Sequence, residues 1–317
     1  MQRLVRSHTS QGHVTFTESD IPVPMRHEAL IRVTAFSMNR GELATAADPS
    51  SSGLPIGWDF VGVVEKPAAD GSTPDSGARV VGWRPEMDAW AEYVVSTAAY
   101  LATIPEAVSD EAAATLPVAG LTALAAIDKG SRLVGNAVLV TGTTGGVGQF
   151  AVQLAKLAGA TVTAQVRKQE QIESIKEIGA DNVVASADGS GLDRGGPYRL
   201  VVDGVGGAML GKLIPLVSKA GTLVLYGVTA GTSAEVTLYP DLFGDGGQRN
   251  IYGLTLYTEV ELEPSSNGLR RLLALLQQGR LRTEIARAEN WQHAGELATA
   301  LLNREVTGKV VALVPGG

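Results

Sequence analysis

One stretch constrains this chain more than any other: residues 137–160, AVLVTGTTGGVGQFAVQLAKLAGA, where an apolar run breaks at a cluster of glycines and resumes with helical spacing. A short apolar run bounded by turn residues reads as a buried strand. Val147, Ala151, Leu154 and Ala158 then recur on one face of a helix. A strand that feeds a helix through so tight a turn needs a crossover to reach its next neighbour, and crossovers build parallel sheets. The sequence downstream keeps the alternation: strand TVTAQV, helix KQEQIESIKEIG, strands DNVVA and YRLVVDGV, helix AMLGKLIPLV and strand GTLVLYGV. The middle of the chain is therefore α/β, a doubly wound parallel sheet with helices on both faces.

The rest has another rhythm. Up to about Ala114 short alternating runs (ALIRVTAF, DFVGVVE, ARVVGW, WAEYVVS) are broken by turn residues, which predicts a mostly β domain. Near Ser109 the composition shifts to SDEAAATLPVAGLTALAAI, a helical segment with Ser109 as N-cap and a break at Pro117. Later, NIYGLTLYTE reads as a further strand, and GLRRLLALLQQGRL as an amphipathic helix carrying Leu269, Leu272, Leu273 and Leu276. The apolar GKVVALVPGG is a strand able to rejoin the β domain, which makes that domain discontinuous. The expected boundaries are 1–115 with 279–317 for the β domain and 116–278 for the parallel-sheet domain.

Composition excludes several functions. A formal charge of −7 and a pI near 5.2 argue against nucleic acid as a partner, because phosphate binding draws on clustered Lys and Arg. Cysteine is absent, which rules out disulfides, thiolate nucleophiles and sulfur-ligated zinc. The four histidines, His8, His13, His27 and His293, never stand at the spacing that aims two imidazoles at one ion, so no metal is expected. MQRLVRSHTSQGHVTF lacks the apolar stretch of an export signal and no apolar run of about 18 residues follows, so no membrane segment is expected and the expected location is the cytoplasm.

Within the glycine cluster, Thr143-Thr144-Gly145-Gly146-Val147-Gly148 fits the phosphate-binding pattern G-x-G-x-x-G at its second and third glycines, with Thr143 at the first. Gly145 lets the backbone approach a pyrophosphate, Gly148 allows close helix packing, and the helix N-terminus offers unpaired amides to the anion. The stretch also fits T-G-x-x-x-G-x-G through Thr141, Gly142, Gly146 and Gly148, the loop of short-chain dehydrogenases. That reading fails because the loop lies far from the N-terminus and none of the seven tyrosines has a lysine four residues later.

The end of the next strand decides which dinucleotide suits the loop. A carboxylate there holds the ribose hydroxyls of NAD. Here stands Ala164-Gln165-Val166-Arg167-Lys168, with no carboxylate and two cations. Arg167 can clamp a 2′-phosphate through its planar fork, a bond worth roughly 1.5–3 kcal/mol, with Lys168 beside it. The expected cofactor is NADPH; the competing reading makes both cations solvated loop charges.

In order along the chain stand SMNRGEL, GWDFVGVV, GARVVG, WAEYVV, LPVAGLTA, TTGGVGQFAVQLAK, IGAD, VVDGVGG, LYG and TGKVVALV. This succession resembles the medium-chain dehydrogenase/reductase superfamily, in its quinone oxidoreductase-like branch. The resemblance implies a GroES-like catalytic domain plus a Rossmann NADP(H)-binding domain. The family's zinc enzymes carry a Cys and a Gly-His-Glu as ligands, whereas this chain has Gly57-Trp58-Asp59 and no cysteine, so catalytic zinc is expected to be absent. Asn39 matches the family Asn beside the nicotinamide, and Thr122 matches the Thr that contacts it. Gly204, Val205, Tyr226 and Gly227 match the strand ends that approach adenosine and ribose, and Leu254 is expected to flank the nicotinamide. Family members dimerise through the strand near Ile251–Tyr257, so a homodimer is expected. Two departures stand out: ELATAADPSSSGLPIG lacks the tyrosine many relatives place there, and Ser186 stands where relatives often have a tyrosine near the adenosine phosphate.

The chemistry this implies is hydride transfer from NADPH to a small-molecule acceptor, a quinone or an α,β-unsaturated carbonyl. Positioning does most of the work, since well-held reactants reach effective molarities worth roughly 7–11 kcal/mol. Asn39 and Arg40 are candidates to position the acceptor or stabilise an oxyanion; Asn39 alternatively caps backbone groups. Trp58 and Asp59 are candidates for the substrate pocket, Asp59 as an orienting group, while Trp83 and Trp90 read as core. Two alternatives stay open: an NADPH-binding protein with little turnover, like the family's crystallins or regulators, and a pathway enoyl reductase acting on a carrier-bound thioester. No motif reads the pocket-shaping loops Ala44–Leu54 and Leu238–Gln248.

Overall fold

In a computed structural model that describes residues 1–244 and 247–315, the chain divides into two units, Met1–Leu121 with Val260–Gly317 and Thr122–Glu259. Asp245 and Gly246 of the loop Leu238–Gln248, and Gly316 and Gly317 of the C-terminal run, lie outside the described residues. The first segment supplies β1 (Gln2–Arg6), β2 (Val14–Glu18), β3 (Glu28–Met38), α1 (Arg40–Ala46), β4 (Asp59–Lys66), β5 (Arg79–Trp83), β6 (Tyr93–Thr97), β7 (Leu101–Thr103) and α2 (Asp110–Ala114). Ser109 caps α2 as expected, its hydroxyl accepting the Ala112 amide at 3.2 Å. Pro117 falls within a π-helical turn, Leu116–Gly120, which runs on into α3 (Leu121–Asp128).

The second unit holds β8 (Ala137–Val140), α4 (Gly146–Leu157), β9 (Thr161–Val166), α5 (Ile172–Glu177), β10 (Asn182–Ala185), β11 (Tyr198–Asp203), α6 (Gly207–Leu213), β12 (Val217–Leu225) and β13 (Asn250–Gly253). Its strands lie in the order β10-β9-β8-β11-β12-β13, all parallel. The connection reverses direction between β8 and β11, the topological switch point of a Rossmann sheet. Val138, Leu139 and Val140 of β8 and Leu200, Val201 and Val202 of β11 are fully buried, as central strands covered on both faces must be. Each contributes roughly 1.5–3 kcal/mol by leaving water.

The predicted strand NIYGLTLYTE is only half a strand. The Leu254 amide makes the last ladder bond, to the Leu225 carbonyl at 2.8 Å, and the Thr255 carbonyl then accepts the amides of Thr258 and Glu259 at 3.2 Å. The chain turns into α7 (Leu256–Leu262). The switch is fastened by side chains: the Tyr252 hydroxyl donates to Glu259 at 2.5 Å, and Lys129 pairs with Glu259 at 2.9 Å.

The last segment adds α8 (Ser265–Gln277), β14 (Ile285–Asn290), α9 (Ala294–Leu302) and β15 (Lys309–Leu313). Leu269, Leu272 and Leu273 of α8 are buried, and the helix packs on β5, β7 and the turn at Pro117. It therefore belongs to the β unit, and the chain crosses between units after Leu121 and after Glu259 rather than at 115/116 and 278/279. Helical periodicity reveals that α8 has an apolar face, but not which sheet receives it. The main sheet of this unit runs β14-β15-β3-β4-β5-β7. β3 is its spine, pairing with β4 on one side and with both β6 and β15 on the other. In the core the Trp90 ring stacks on Phe36 at 5.0 Å, and Trp83 meets Tyr100 edge-on at 6.0 Å; both tryptophans are fully buried.

Candidate functional site

In the parallel-sheet unit the predicted phosphate loop lies at the switch point. The turn after β8 leads through Gly145 into the twelve-residue helix α4. At Gly148 a Cβ would stand 2.6 Å from the Gly142 carbonyl oxygen and 2.7 Å from the Thr143 Cα, so only glycine lets the first turn of α4 close on the loop. The first-turn amides, from Gly146 through Val147, have no carbonyl one turn behind them and lie at the positive end of the helix dipole. Gly145 is exposed and Thr144 half-buried. This cradle of bare backbone suits a pyrophosphate.

Thr143 does something other than face a ligand. It is fully buried, and its hydroxyl and amide both donate to the Gln165 carbonyl, at 2.8 and 3.3 Å. Gln165, buried on β9, is a fastener sequence reading passed over. Its side chain accepts the Gly142 amide at 2.9 Å and donates to the Ser186 carbonyl at 2.5 Å, joining the loop, β9 and the end of β10. Asp203, at the end of β11, is a second. Its Oδ1 accepts the Thr141 hydroxyl and the Val205 amide, and its Oδ2 the Gly206 amide at 3.1 Å. Burial pushes the Asp203 carboxyl upward, while those donors pull it down. A polar residue closing an apolar strand was the available signal for both.

Around this anchor lie Gly204 and Val205, with a Val205 methyl 3.6 Å from where a Gly142 Cβ would be. The Tyr226 ring rests on Gly204 where a Cβ would stand, and Gly227 follows it against the Gly204 carbonyl. Arg167 and Lys168 sit exposed just past the end of β9, their amides donating to the Gln171 side chain at 3.2 and 3.1 Å. Lys168 pairs with Glu170 at 3.3 Å, whereas the Arg167 guanidinium makes no hydrogen bond or ion pair among the described residues. Ser186 turns its hydroxyl to Asp188 at 3.0 Å. Thr122, on α3, and Leu254, three strands along the sheet from the loop, are both buried.

In the β unit, Asn39, Trp58 and Asp59 come together, and the structure adds Ser37, Glu42 and Lys309. Gly57 has φ +110°, and a Cβ on it would lie 2.2 Å from the Trp90 ring; glycine alone permits the turn that delivers Trp58 and Asp59. Asp59, fully buried, accepts the Ser37 hydroxyl at 2.5 Å and the Asn39 Nδ2 at 2.9 Å. Glu42, also fully buried, accepts the Asn39 amide at 2.8 Å and the Trp58 amide at 2.7 Å. Lys309 Nζ donates to the Asn39 Oδ1 at 2.5 Å and the Met38 carbonyl at 3.0 Å, and stands 3.8 Å from Asp59.

The Asn39 amide is thus engaged at both ends, its nitrogen shared between Asp59 and Glu42 and its oxygen taken by Lys309. Arg40 is turned away: its Nη1 donates to the carbonyls of Leu301 and Leu302, at 3.0 and 3.3 Å, at the end of α9. In this arrangement both residues position structure, and neither offers a spare donor from these atoms to an oxyanion. The half-buried Trp58 ring lies 3.3 Å from the Cβ position of Gly41. Asn-x-x-Glu at 39–42 is the signature of a capping box and could have revealed Glu42. Lys309 gave no such signal, since its partners lie hundreds of residues earlier. Among the described residues no group of three His, Cys, Asp or Glu side chains could hold a metal.

A family described as zinc-binding dehydrogenase matches residues 146–277. The chloroplast envelope quinone oxidoreductase homolog of Arabidopsis thaliana is 28% identical over 92% of this chain and 91% of its own length. The structure of the quinone oxidoreductase from Coxiella burnetii superposes with a TM-score of 0.84 at 26% identity, over 99% of both chains. That of mycobacterial Rv1454c complexed with NADPH does so with a TM-score of 0.85 at 25% identity, again over 99% of both. Likeness along the whole chain, together with Gly57-Trp58-Asp59 and the absence of cysteine where the zinc enzymes carry their ligands, assigns the chain to the medium-chain dehydrogenase/reductase superfamily, in its zinc-independent, quinone oxidoreductase-like branch.

Proposed function

We propose that this protein is an NADPH-dependent reductase of quinones or α,β-unsaturated carbonyls that works without zinc. The observation that carries the reading is the pairing of a bare-backbone cradle at the N-terminus of α4 with an uncommitted Arg167 at the end of β9, where no carboxylate stands. Similarity to a protein solved with NADPH supports the same cofactor. When bound, the reduced nicotinamide supplies a hydride. Gly146, Val147 and Gly148 would hold the pyrophosphate through backbone amides, with Thr144 and the exposed Gly145 backbone beside them, while Thr143 shapes the loop from behind. Arg167 and Lys168 take the 2′-phosphate. Gly204, Val205, Tyr226 and Gly227 border the adenosine side, and Thr122 and Leu254 the nicotinamide side.

On the β unit, Trp58 offers an aromatic surface to a flat acceptor, and Asn39 and Asp59 set its pose. Glu42 and Asp59 are both fully buried, and water returns the proton. The chain acts as a homodimer: β13 has only β12 as a neighbour among the described strands, and Ile251 on it is half exposed, an edge suited to pairing with a second copy.

The test is oxidation of NADPH and NADH, each against phenanthrenequinone, benzoquinone and alkyl and aryl enones. Turnover with NADPH and a loss of preference over NADH in Arg167→Ala are the expected results. NADPH binding without oxidation of any acceptor overturns the catalytic reading, and an unchanged preference in Arg167→Ala overturns the phosphate assignment.

A further inference from the structure

Glu42 and Asp59 are both fully buried, and both accept from the same nitrogen, Nδ2 of Asn39, at 3.3 and 2.9 Å. One cation faces them, Lys309, itself buried and 3.8 Å from Asp59. Two carboxylates and one ammonium would leave a net negative charge in a dry interior, a state that burial strongly opposes. A second observation points the same way. Asp59 Oδ1 is buried and has no donor at full hydrogen-bond geometry among the described residues, the Val118 amide being the backbone group that reaches this carboxyl, which leaves room for a carboxylic O–H.

We propose that Glu42 and Asp59 hold one proton in common, which keeps this cluster neutral, and that Glu42 is thereby the positioning residue that locks Asn39 and Trp58 in place. Protonated, the Glu42 carboxyl bridges the Asn39 and Trp58 amides without placing an unpaired charge between them. Deprotonated, it sets a negative charge directly behind Asn39. The charged groups acting on it are Asp59 from β4 and Lys309 from β15. From the turn at Pro117 only the Val118 backbone faces Asp59, and Arg40 on α1 is directed to the end of α9. Burial first, and then the Asp59 charge, push the Glu42 carboxyl to about 8, so the proton is retained at neutral pH and lost just above it.

The proton belongs to the β unit and is independent of the proposed reaction; only the catalytic consequence rests on that reading. Infrared spectroscopy of the whole protein without cofactor tests it. The wild type minus Glu42→Gln difference, which cancels Asp203, is expected to show a protonated-carboxyl band at neutral pH that halves near pH 8. In Asp59→Asn, Lys309 is left to pair with Glu42 and the band is lost at neutral pH. Tryptophan fluorescence is expected to step at the same pH and to lose that step in Trp58→Phe. No carboxyl band in the difference spectrum, or a band indifferent to pH across this range, overturns the proposal. In turnover, kcat/KM of the wild type is expected to fall about tenfold per unit above that pH, the slope of one proton, and that of Glu42→Gln to stay flat. Glu42→Ala is expected to lose at least about tenfold at every pH. A flat wild-type profile overturns the positioning role, whereas an absence of turnover in all variants counts against the proposed reaction and leaves the spectral result standing.

Discussion

The carboxylate of Asp203 accepts the Thr141 hydroxyl at 2.5 Å and so ties the end of β11 to the end of β8, the two strands between which the connection of the sheet reverses. Removing it in Asp203→Ala leaves that hydroxyl and the amides of Val205 and Gly206 without their acceptor. The cost is about 2–4 kcal/mol, since buried polar groups lose their partners. Thermal melting is expected to show the loss, and NADPH titration a weaker affinity, because Gly204 and Val205 are no longer held. A melting temperature within error of wild type would refute the anchor.

Gly148→Ala places a methyl against the Gly142 carbonyl, 2.6 Å from its oxygen. Overpacking of this kind costs about 1–3 kcal/mol and must be relieved by moving the loop. The expected signature is selective: NADPH affinity lowered by about tenfold or more, with the fold retained by circular dichroism. Unchanged binding would place the cofactor elsewhere.

Glu42 also ties stability to pH. Its folded value of about 8 lies above the ordinary 4.5, so across that interval the folded chain binds a proton the unfolded chain does not. Stability is therefore fully supported below about 4.5 and declines as pH rises to about 8, by a few kcal/mol at most. Glu42→Gln, which needs no proton, is expected to flatten this part of the curve in chemical denaturation. A wild-type curve that rises over the same interval would exclude a retained proton on Glu42.

Arg40→Ala removes the donor from the carbonyls of Leu301 and Leu302. A loss of about 0.5–2 kcal/mol in stability is expected, with turnover within about twofold of wild type. A drop of a hundredfold in kcat at unchanged stability would instead restore Arg40 as an oxyanion stabiliser.

Much of the sequence reading carried through because it rested on local rules. Residues 137–160 commit the chain to strand, turn and helix, and the alternation after them leads to the parallel order β10-β9-β8-β11-β12-β13. Trp83 and Trp90 pack in the core, as their strand patterns implied. NIYGLTLYTE misled because β-branched and aromatic residues favour a strand while the Tyr252–Glu259–Lys129 contacts, which close the turn into α7, involve Lys129, over a hundred residues earlier.

By itself, then, the sequence determined the fold class, the strand–turn–helix geometry of the glycine loop and the lack of sulfur ligands, since periodicity, glycine spacing and residue counts act locally or need no geometry. Only the tertiary structure decided that Asn39 is bound on every side, that Thr143 faces inward to Gln165, and that Lys309 joins Glu42 and Asp59. The first and last are meetings of β3, α1 and β4 with β15, a strand from the other end of the chain, and the second joins the loop after β8 to β9. Whether a polar side chain faces solvent or a buried partner depends on which distant element covers it, and spacing along the chain carries no record of that.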